Sequence, residues 1–375
     1  MKKIHMVDLQ SQYQQIKDVV DTSIQEVLNS SAYINGPYVK EFQKDLEEYL
    51  GVKHVIPCAN GTDALQIAMM GLGLKPGDEV ITVDFTFAAT VEVIGLLNLT
   101  PVLVDVEEDT FNMSIDALKN AITPKTKAIV PVHLFGQCAN MEAILEVAKA
   151  HNLFVIEDNA QAIGADYTFS NGHTQKSGSI GHVGTTSFFP SKNLGCYGDG
   201  GAIFTNDDEL AHTLRGMVNH GMYKRYYHDV VGVNSRLDSI QAAVLKAKLP
   251  HLDTYCEARR KAAMYYSDAF LENPNILTPV ISSFSTHVFH QYTLRITNGK
   301  RDALHQHLLD QGIPNAIYYP VPLHAQKAYM DERYKEEDFV TTNKLVQEVI
   351  SLPMHTELDE EQLEFISSTI NSFIN

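Results

Sequence analysis

Between about residues 53 and 205, short apolar runs alternate with helical stretches, and this alternation constrains the chain more than any other feature. The runs EVITV, PVLVDV, KAIVPV, LFVIED and GAIFT are rich in β-branched residues. Strands buried on both faces carry such near-continuous apolar sequence, and joining them in parallel requires crossovers of a dozen or more residues, here helical in pattern. The pattern predicts an α/β domain with a central, mostly parallel sheet covered by helices on both faces. At 375 residues the chain exceeds what one core accommodates comfortably, so a second, smaller unit is expected. From Asp238 onward helical patterning dominates through SIQAAVLKAKLPHLDTYCEARRKAAMYY, followed by the strand candidate VFHQYTLRI. The expected division is a large α/β domain over 1–250 and a small C-terminal α+β domain over 251–375. The large one opens with a helical segment in which Ile16, Val19, Val20, Ile24, Val27 and Leu28 recur at helical spacing before the Asn35-Gly36-Pro37 breaker.

Several function classes are disfavoured. The net charge of -17 opposes nucleic acid and anionic membranes, so an anionic ligand must be held by a local pocket. No apolar run is long enough to span a bilayer, and MKKIHMVDLQSQYQQ lacks the apolar stretch of a secretory signal, which makes the cytoplasm the expected location. Cys58, Cys138, Cys196 and Cys256 form no CxxC pair, so free thiols and no zinc site are expected. His305 and His307 fall two apart in a helical stretch, where side chains diverge around the axis, and they read as surface residues rather than metal ligands.

In open parallel sheets, ligands bind at the carboxyl ends of the strands, and four places there carry chemistry. Ala59-Asn60-Gly61-Thr62-Asp63-Ala64-Leu65 is a small turn entering a helix, whose first amides and the Thr62 hydroxyl suit a phosphate or serve as an ordinary cap. Val155-Ile156-Glu157-Asp158-Asn159-Ala160-Gln161 ends an apolar strand in two carboxylates, one of which must point inward; Asp158 either meets a cation such as a protonated pyridine or caps the next helix. Lys192 follows Thr186-Ser187-Phe188-Phe189-Pro190-Ser191 and precedes the glycine-rich Asn193-Leu194-Gly195-Cys196-Tyr197-Gly198-Asp199-Gly200-Gly201, a setting unlike that of a solvated lysine and suited to a Schiff-base nucleophile. Gly232-Val233-Asn234-Ser235-Arg236-Leu237-Asp238 is a polar turn before a helix, in which Arg236 either forks onto a carboxylate or phosphate or is a structural arginine. The basic residues Lys224 and Arg225 read equally as a diphosphate contact or as surface.

Together and in this order, ANGTDAL, DFTFAATVEVI, PVLVDVEEDTFNM, KAIVPVHLFGQCANM, VIEDNAQAIGA, TTSFFPSKNLGCYGDGGAIFTNDDEL and GVNSRLDSIQAA resemble the DegT/StrS-type sugar aminotransferases, which are fold-type I enzymes dependent on pyridoxal 5'-phosphate (PLP). The resemblance spans nearly the whole chain. It implies that Lys192 is the Schiff-base lysine and proton shuttle and that Asp158 is the partner of the pyridine nitrogen. It also implies that Phe87 packs on the cofactor ring and Gln161 bonds the ring hydroxyl. Gly61, Thr62 and Ser187 would hold the phosphate, with Asn234 arriving from the partner subunit of a homodimer with shared active sites. Arg236 falls at the substrate-side arginine. Tyr318 and Tyr319 fall in a substrate-pocket segment that often begins His-Tyr, so this chain has no imidazole at the first position.

The resemblance further implies a transamination in which an amino donor, L-glutamate, converts PLP to pyridoxamine 5'-phosphate (PMP) and a nucleotide-linked keto sugar takes the amine. Within the family, the motifs look closest to enzymes that aminate a UDP-linked 3-keto-N-acetylglucosaminuronate for surface polysaccharide such as lipopolysaccharide O-antigen. The alternatives are amination of a dTDP-linked 3- or 4-keto-6-deoxyhexose, and a non-catalytic PLP-binding sensor or regulator. Relatives that are PMP-dependent dehydratases replace the lysine with His, and Lys192 argues against that reaction.

Overall fold

The computed structural model describes residues 2–374. Seven strands form the large sheet: β1 (His54–Cys58), β2 (Glu79–Val83), β3 (Thr100–Val104), β4 (Thr126–Val130), β5 (Phe154–Asp158), β6 (Val183–Ser187) and β7 (Gly201–Thr205). Their order across the sheet is β1-β7-β6-β5-β4-β2-β3. Only β7 runs against the others, with Ile203 paired to Ile56 on one side and Thr185 on the other. β1, β2, β4, β5 and β7 divide their apolar residues between two cores. Val55, Ile81, Ile129, Val155 and Phe204 face one core, whereas Ile56, Val80, Ala128, Ile156 and Ile203 face the second. Burial on both faces is the physical reason that these runs are continuous rather than alternating.

Helices fill both faces. α1 (Leu9–Ser30) and α2 (Pro37–Leu50) precede the sheet, α3 (Gly61–Gly71) follows β1, and α4 (Ala89–Leu96) follows β2. Phe42, Leu46 and Leu50 of α2 enter the first core, and Ala64, Leu65 and Ala68 of α3 enter the second. α1 starts where the Asp8 carboxylate accepts from Ser11 N at 2.9 Å, an N-cap, and its Ile16 and Val20 pack on Val244 of α5 (Ser239–Lys248).

After α5, a short turn at Leu249–His251 containing Pro250 leads into α6 (Leu252–Phe270). The start of α6 contributes Leu252 and Cys256 to the first core. Its far half contributes Ala262, Tyr266 and Phe270 to a separate core. That separate core lies on a small antiparallel sheet of β8 (Ile276–Leu277), β9 (Tyr292–Ile296) and β10 (Val349–Leu352), backed by α7 (Arg301–Asp310) and α8 (Glu360–Ile374). Ile4 also packs there, so the extreme N-terminal segment reaches the C-terminal unit. In α7, His305 bonds Asn315 and His307 stacks on Phe373 with ring centres 4.5 Å apart. Among the described residues, no helix is long and apolar enough to cross a membrane.

Because β1, β2, β4, β5 and β6 run in one direction, their carboxyl ends share an edge of the sheet. The excursion from Phe188 to Gly200 that joins β6 to the reversed β7 lies on that same edge.

Candidate active site

A cavity of about 640 Å3 opens at this edge, lined by the turn after β1 and the start of α3, by the ends of β5 and β6, and by segments 86–89, 189–192, 290–291 and 318–319. It brings Gly61, Thr62, Phe87, Asp158, Gln161, Ser187, Lys192, Tyr318 and Tyr319 together.

One end of the cavity is built from the β1–α3 turn. Asn60 is extended (φ -167°), and its Oδ1 accepts from Asp63 N at 2.8 Å, capping α3. The first helical amides, those of Gly61 and Thr62, have no carbonyl of their own helix to bond. Both residues lie on the cavity wall. Opposite them Ser187 ends β6, and its Oγ accepts from Phe189 N at 3.2 Å, so the hydroxyl proton is free to donate. The approach is close: a Cβ on Gly61 would lie 2.7 Å from Ser187 Cβ, and one on Gly201 would lie 2.4 Å from the Asn60 carbonyl. Free amides at a helix N-terminus flanked by two hydroxyls form a cradle for an anion.

The end of β5 supplies the charge. Period-two alternation sends Glu157 and Asp158 to opposite faces. Glu157 is fully buried: its Oε2 meets His133 Nε2 and Gly178 N, both at 2.8 Å, and its Oε1 accepts from Ile180 N and Gly181 N, both at 2.6 Å. Asp158, 5% exposed, turns into the cavity, where Oδ2 accepts from Thr90 Oγ1 of α4 at 2.7 Å and Oδ1 from Ala160 N at 3.1 Å. No helix follows Asp158, so the helix-cap alternative does not hold: its Oδ1 bonds one amide of a turn while the carboxylate faces the cavity. Each of its oxygens has a remaining lone pair for a cationic partner.

Lys192 rises from the Phe188–Gly200 excursion, its backbone N bonded to Phe189 O at 2.8 Å. Desolvation brings its amine down to about 8, against the opposing pull of the Asp158 charge. Such an amine is a competent nucleophile near neutral pH, unlike a solvated lysine. His290 shares the wall; it is buried, its Nδ1 lacks a partner, and burial followed by the charges of Lys192 and Arg259 keeps the ring neutral.

The remaining walls are aromatic. Phe85 is buried against Phe111, Phe135 and Tyr319, whereas Phe87, two residues on, is 59% exposed and stands open at the cavity. Gln161 joins two walls: its Oε1 accepts from Phe135 N at 2.8 Å and its Nε2 donates to Tyr319 Oη at 3.2 Å. Tyr319 is held on a segment anchored by His324, whose N and Nδ1 each contact the buried Asp84 carboxylate at 2.7 Å. Burial raises the Asp84 carboxyl above its usual range, with His324 pulling the other way.

Two expected site residues lie elsewhere. Asn234 is exposed and forms a bridge with Asn219, and Arg236 is half-buried with Nη1 bonded to Asn219 Oδ1 at 3.2 Å. Neither lines the cavity of its own chain. Lys224 and Arg225 sit on an exposed hairpin, over the rings of Tyr227 and Tyr226 respectively. Conversely, sequence reasoning missed Thr90, His290 and Gln291. The polar pair His290-Gln291 inside the apolar run VFHQYTLRI was the available signal for two of them.

The cavity thus combines a depressed-pKa amine, a buried carboxylate, an anion cradle and an exposed aromatic face. These match the carbonyl, ring nitrogen, phosphate and ring of PLP, so the residues present fit that cofactor.

Comparison with known proteins agrees. The profile described as the DegT/DnrJ/EryC1/StrS aminotransferase family matches residues 14–371. A protein of Geobacillus stearothermophilus named pleiotropic regulatory protein is 48% identical over 372 residues, covering 99% of this chain and 98% of its own length. The UDP-2-acetamido-2-deoxy-3-oxo-D-glucuronate aminotransferase of Pseudomonas aeruginosa is 46% identical over 369 residues, covering 98% and 100%. The crystal structure of a DegT DnrJ EryC1 StrS aminotransferase from Brucella abortus superposes with a TM-score of 0.94 at 42% identity, covering 99% of this chain and 100% of that one. A putative sugar aminotransferase from Streptococcus pneumoniae, solved in its PLP form, superposes with a TM-score of 0.87 at 25% identity, covering 95% and 96%.

Proposed function

The chain belongs to the DegT/DnrJ/EryC1/StrS aminotransferase family of PLP-dependent enzymes, and we propose that it transfers an amino group to the 3-keto position of a UDP-linked N-acetylglucosaminuronate. The observation that carries the reading is the convergence of Lys192, Asp158 and the Gly61–Thr62 cradle on one cavity. The named activity of the Pseudomonas aeruginosa relative supports the choice of sugar. Amination of a dTDP-linked keto-deoxyhexose is the nearest alternative substrate class, supported by a Streptomyces venezuelae relative at 38% identity named as a dTDP-sugar transaminase.

Bound there, PLP supplies an electrophilic carbon for the amino group and a ring that accepts electrons when the adjacent C–H bond loses its proton. This chain's residues do the rest. Lys192 would hold the cofactor's carbonyl carbon through Nζ and, once released by the incoming amine, would move a proton between the substrate carbon bearing the amine and that cofactor carbon. Asp158, fixed by Thr90 and the Ala160 amide, keeps a proton on the ring nitrogen through its charge. The amides of Gly61 and Thr62 and the hydroxyls of Thr62 and Ser187 hold the phosphate, Phe87 covers the ring face, and Gln161 reaches the ring hydroxyl.

L-glutamate is the proposed amino donor, leaving as its keto acid before the sugar binds. Tyr318 and Tyr319 border the sugar. Asn234 and Arg236, outside their own chain's cavity, are assigned to the site of a partner subunit in a homodimer, Asn234 on the phosphate and Arg236 on a substrate carboxylate. In this reading the enzyme works in the cytoplasm and its product enters surface polysaccharide such as lipopolysaccharide O-antigen. Residues 1–250 form the cofactor-binding unit and 251–375 the smaller one.

The test is conversion of the UDP-3-keto-uronate to its 3-amino product with stoichiometric 2-oxoglutarate, followed by mass spectrometry. The name of the Geobacillus stearothermophilus relative favours one second reading, a cofactor-binding regulator. Cofactor binding without turnover on any nucleotide-linked keto sugar is the result that reading expects.

A further inference from the structure

The excursion that presents Lys192 is gripped from outside by one helix. Gln241 and Lys248 stand two turns apart on the same face of α5. Gln241 Oε1 accepts from Tyr197 N at 2.9 Å and its Nε2 donates to Tyr197 O at 3.3 Å. Lys248 Nζ donates to Gly195 O at 2.8 Å and lies 4.5 Å from the centre of the Tyr197 ring.

Lys248 is 1% exposed, and among the described residues its Nζ bonds the Gly195 carbonyl and forms no ion pair. The groups facing it are the Gly195 carbonyl, the Tyr197 ring, the Cys196 thiol and the carbonyl end of its own helix, which favours a cation. Burial brings the ammonium down to about 8, so it is still mostly charged at pH 7. Burying a charge without a counter-ion is unfavourable, and a methionine would fill the space without that cost. Packing alone therefore does not account for a lysine here.

The carbonyl it holds lies three residues after Lys192 in a tightly folded stretch. A Cβ on Gly195 would lie 2.3 Å from Pro190 O, Cys196 N bonds Phe188 O at 2.8 Å, and Phe188 N bonds Gly200 O at 2.7 Å. Movement of Gly195 is thus passed directly to Pro190–Lys192.

We propose that Lys248 is a positioning residue for Lys192: by fixing the Gly195 carbonyl it locks the excursion, so that the Lys192 amine is held in the cavity wall and kept from moving out into water. The inference rests on the reading of Lys192 given above.

The test compares full-length wild type with Lys248→Met and Lys248→Arg, and with Gln241→Met, which removes both bonds to Tyr197. The readout is the rate at which cofactor-free protein captures PLP as a function of pH, followed by visible absorbance, together with the rate of cofactor loss. In Lys248→Met the midpoint of the capture profile moves up by about one unit or more toward the ~10.4 of a free lysine, and cofactor leaves roughly tenfold faster. Lys248→Arg, which keeps a cationic donor, moves less. A folded Lys248→Met with the wild-type profile overturns the proposal, and should that variant not fold, a wild-type profile in Gln241→Met does so. A wild type that captures no PLP at any pH overturns the Lys192 reading itself, an outcome distinct from an unshifted variant.

Discussion

Glu157 and Asp158 are neighbours on β5, yet their carboxylates serve opposite sides of the sheet. Glu157 takes His133 and three backbone amides in the interior, and Asp158 takes Thr90 and one amide at the cavity. Their amide variants therefore separate stability from chemistry. Glu157→Gln leaves a buried network short of an acceptor and lowers unfolding free energy by on the order of 3 kcal/mol in denaturant titration. Asp158→Asn keeps the fold and binds PLP, but its turnover falls by roughly 10² to 10⁴. Equal losses of stability in both variants would contradict this division.

The anion cradle depends on the absence of a side chain. With Ser187 Cβ 2.7 Å from the position of a new Cβ, Gly61→Ala pushes β6 away from the α3 terminus, and the Kd for PLP rises by about tenfold with the fold retained. Gly201→Ala meets the Asn60 backbone at 2.4 Å, which cannot rotate away, so this variant is destabilised by about 1–3 kcal/mol. Fluorescence titration with PLP and thermal unfolding distinguish the two.

The pH dependence of cofactor capture follows the Lys192 amine, whose value is lowered to about 8 by desolvation. Only the unprotonated amine attacks. Capture is therefore flat above that pH and declines by about tenfold per unit below it. A flat profile from pH 6 to 9 contradicts the assignment.

Asn234 and Lys192 do not meet within one chain, so a shared site makes a complementation test available. Lys192→Ala and Asn234→Ala proteins, each inactive or weak alone, should on mixed refolding regain about a quarter of wild-type activity, because half the dimers are hybrids with one intact site. No gain on mixing removes Asn234 from the partner's site.

The sequence disclosed the sheet because its strands are buried on both faces: β2, β5 and β7 lie within the runs EVITV, LFVIED and GAIFT, and β3 and β4 overlap PVLVDV and KAIVPV. β6, VGTTS, escaped that reading because one strongly apolar residue is all it has. It is held instead by Thr185 and Thr186 hydroxyls on the Glu157 and Asn159 carbonyls, and Gly184 is needed where a Cβ would strike Gly178 O at 1.8 Å. His290 and Gln291 were hidden for a different reason. VFHQYTLRI reads as one strand, but Phe289 adopts φ +44°, the strand starts only at Tyr292, and the intervening pair turns to the cavity. Lys192 and Asp158 were legible because a lysine among hydroxyls and glycines, and a carboxylate ending an apolar strand, are each chemically conspicuous. Thr90 was not, since its bond to Asp158 spans 68 residues. Asn234 and Arg236 lie outside one chain's cavity, on a turn where both contact Asn219.

The most direct test of the central claim is the absorbance spectrum of the PLP-loaded protein before and after L-glutamate, beside Lys192→Ala. The expected result is a visible band from lysine-bound cofactor that gives way to the near-ultraviolet band of PMP in the wild type, with neither the initial band nor the conversion in the variant. A wild type that binds PLP but whose spectrum no amino acid alters, or a Lys192→Ala protein that converts it as fast as wild type, contradicts the claim.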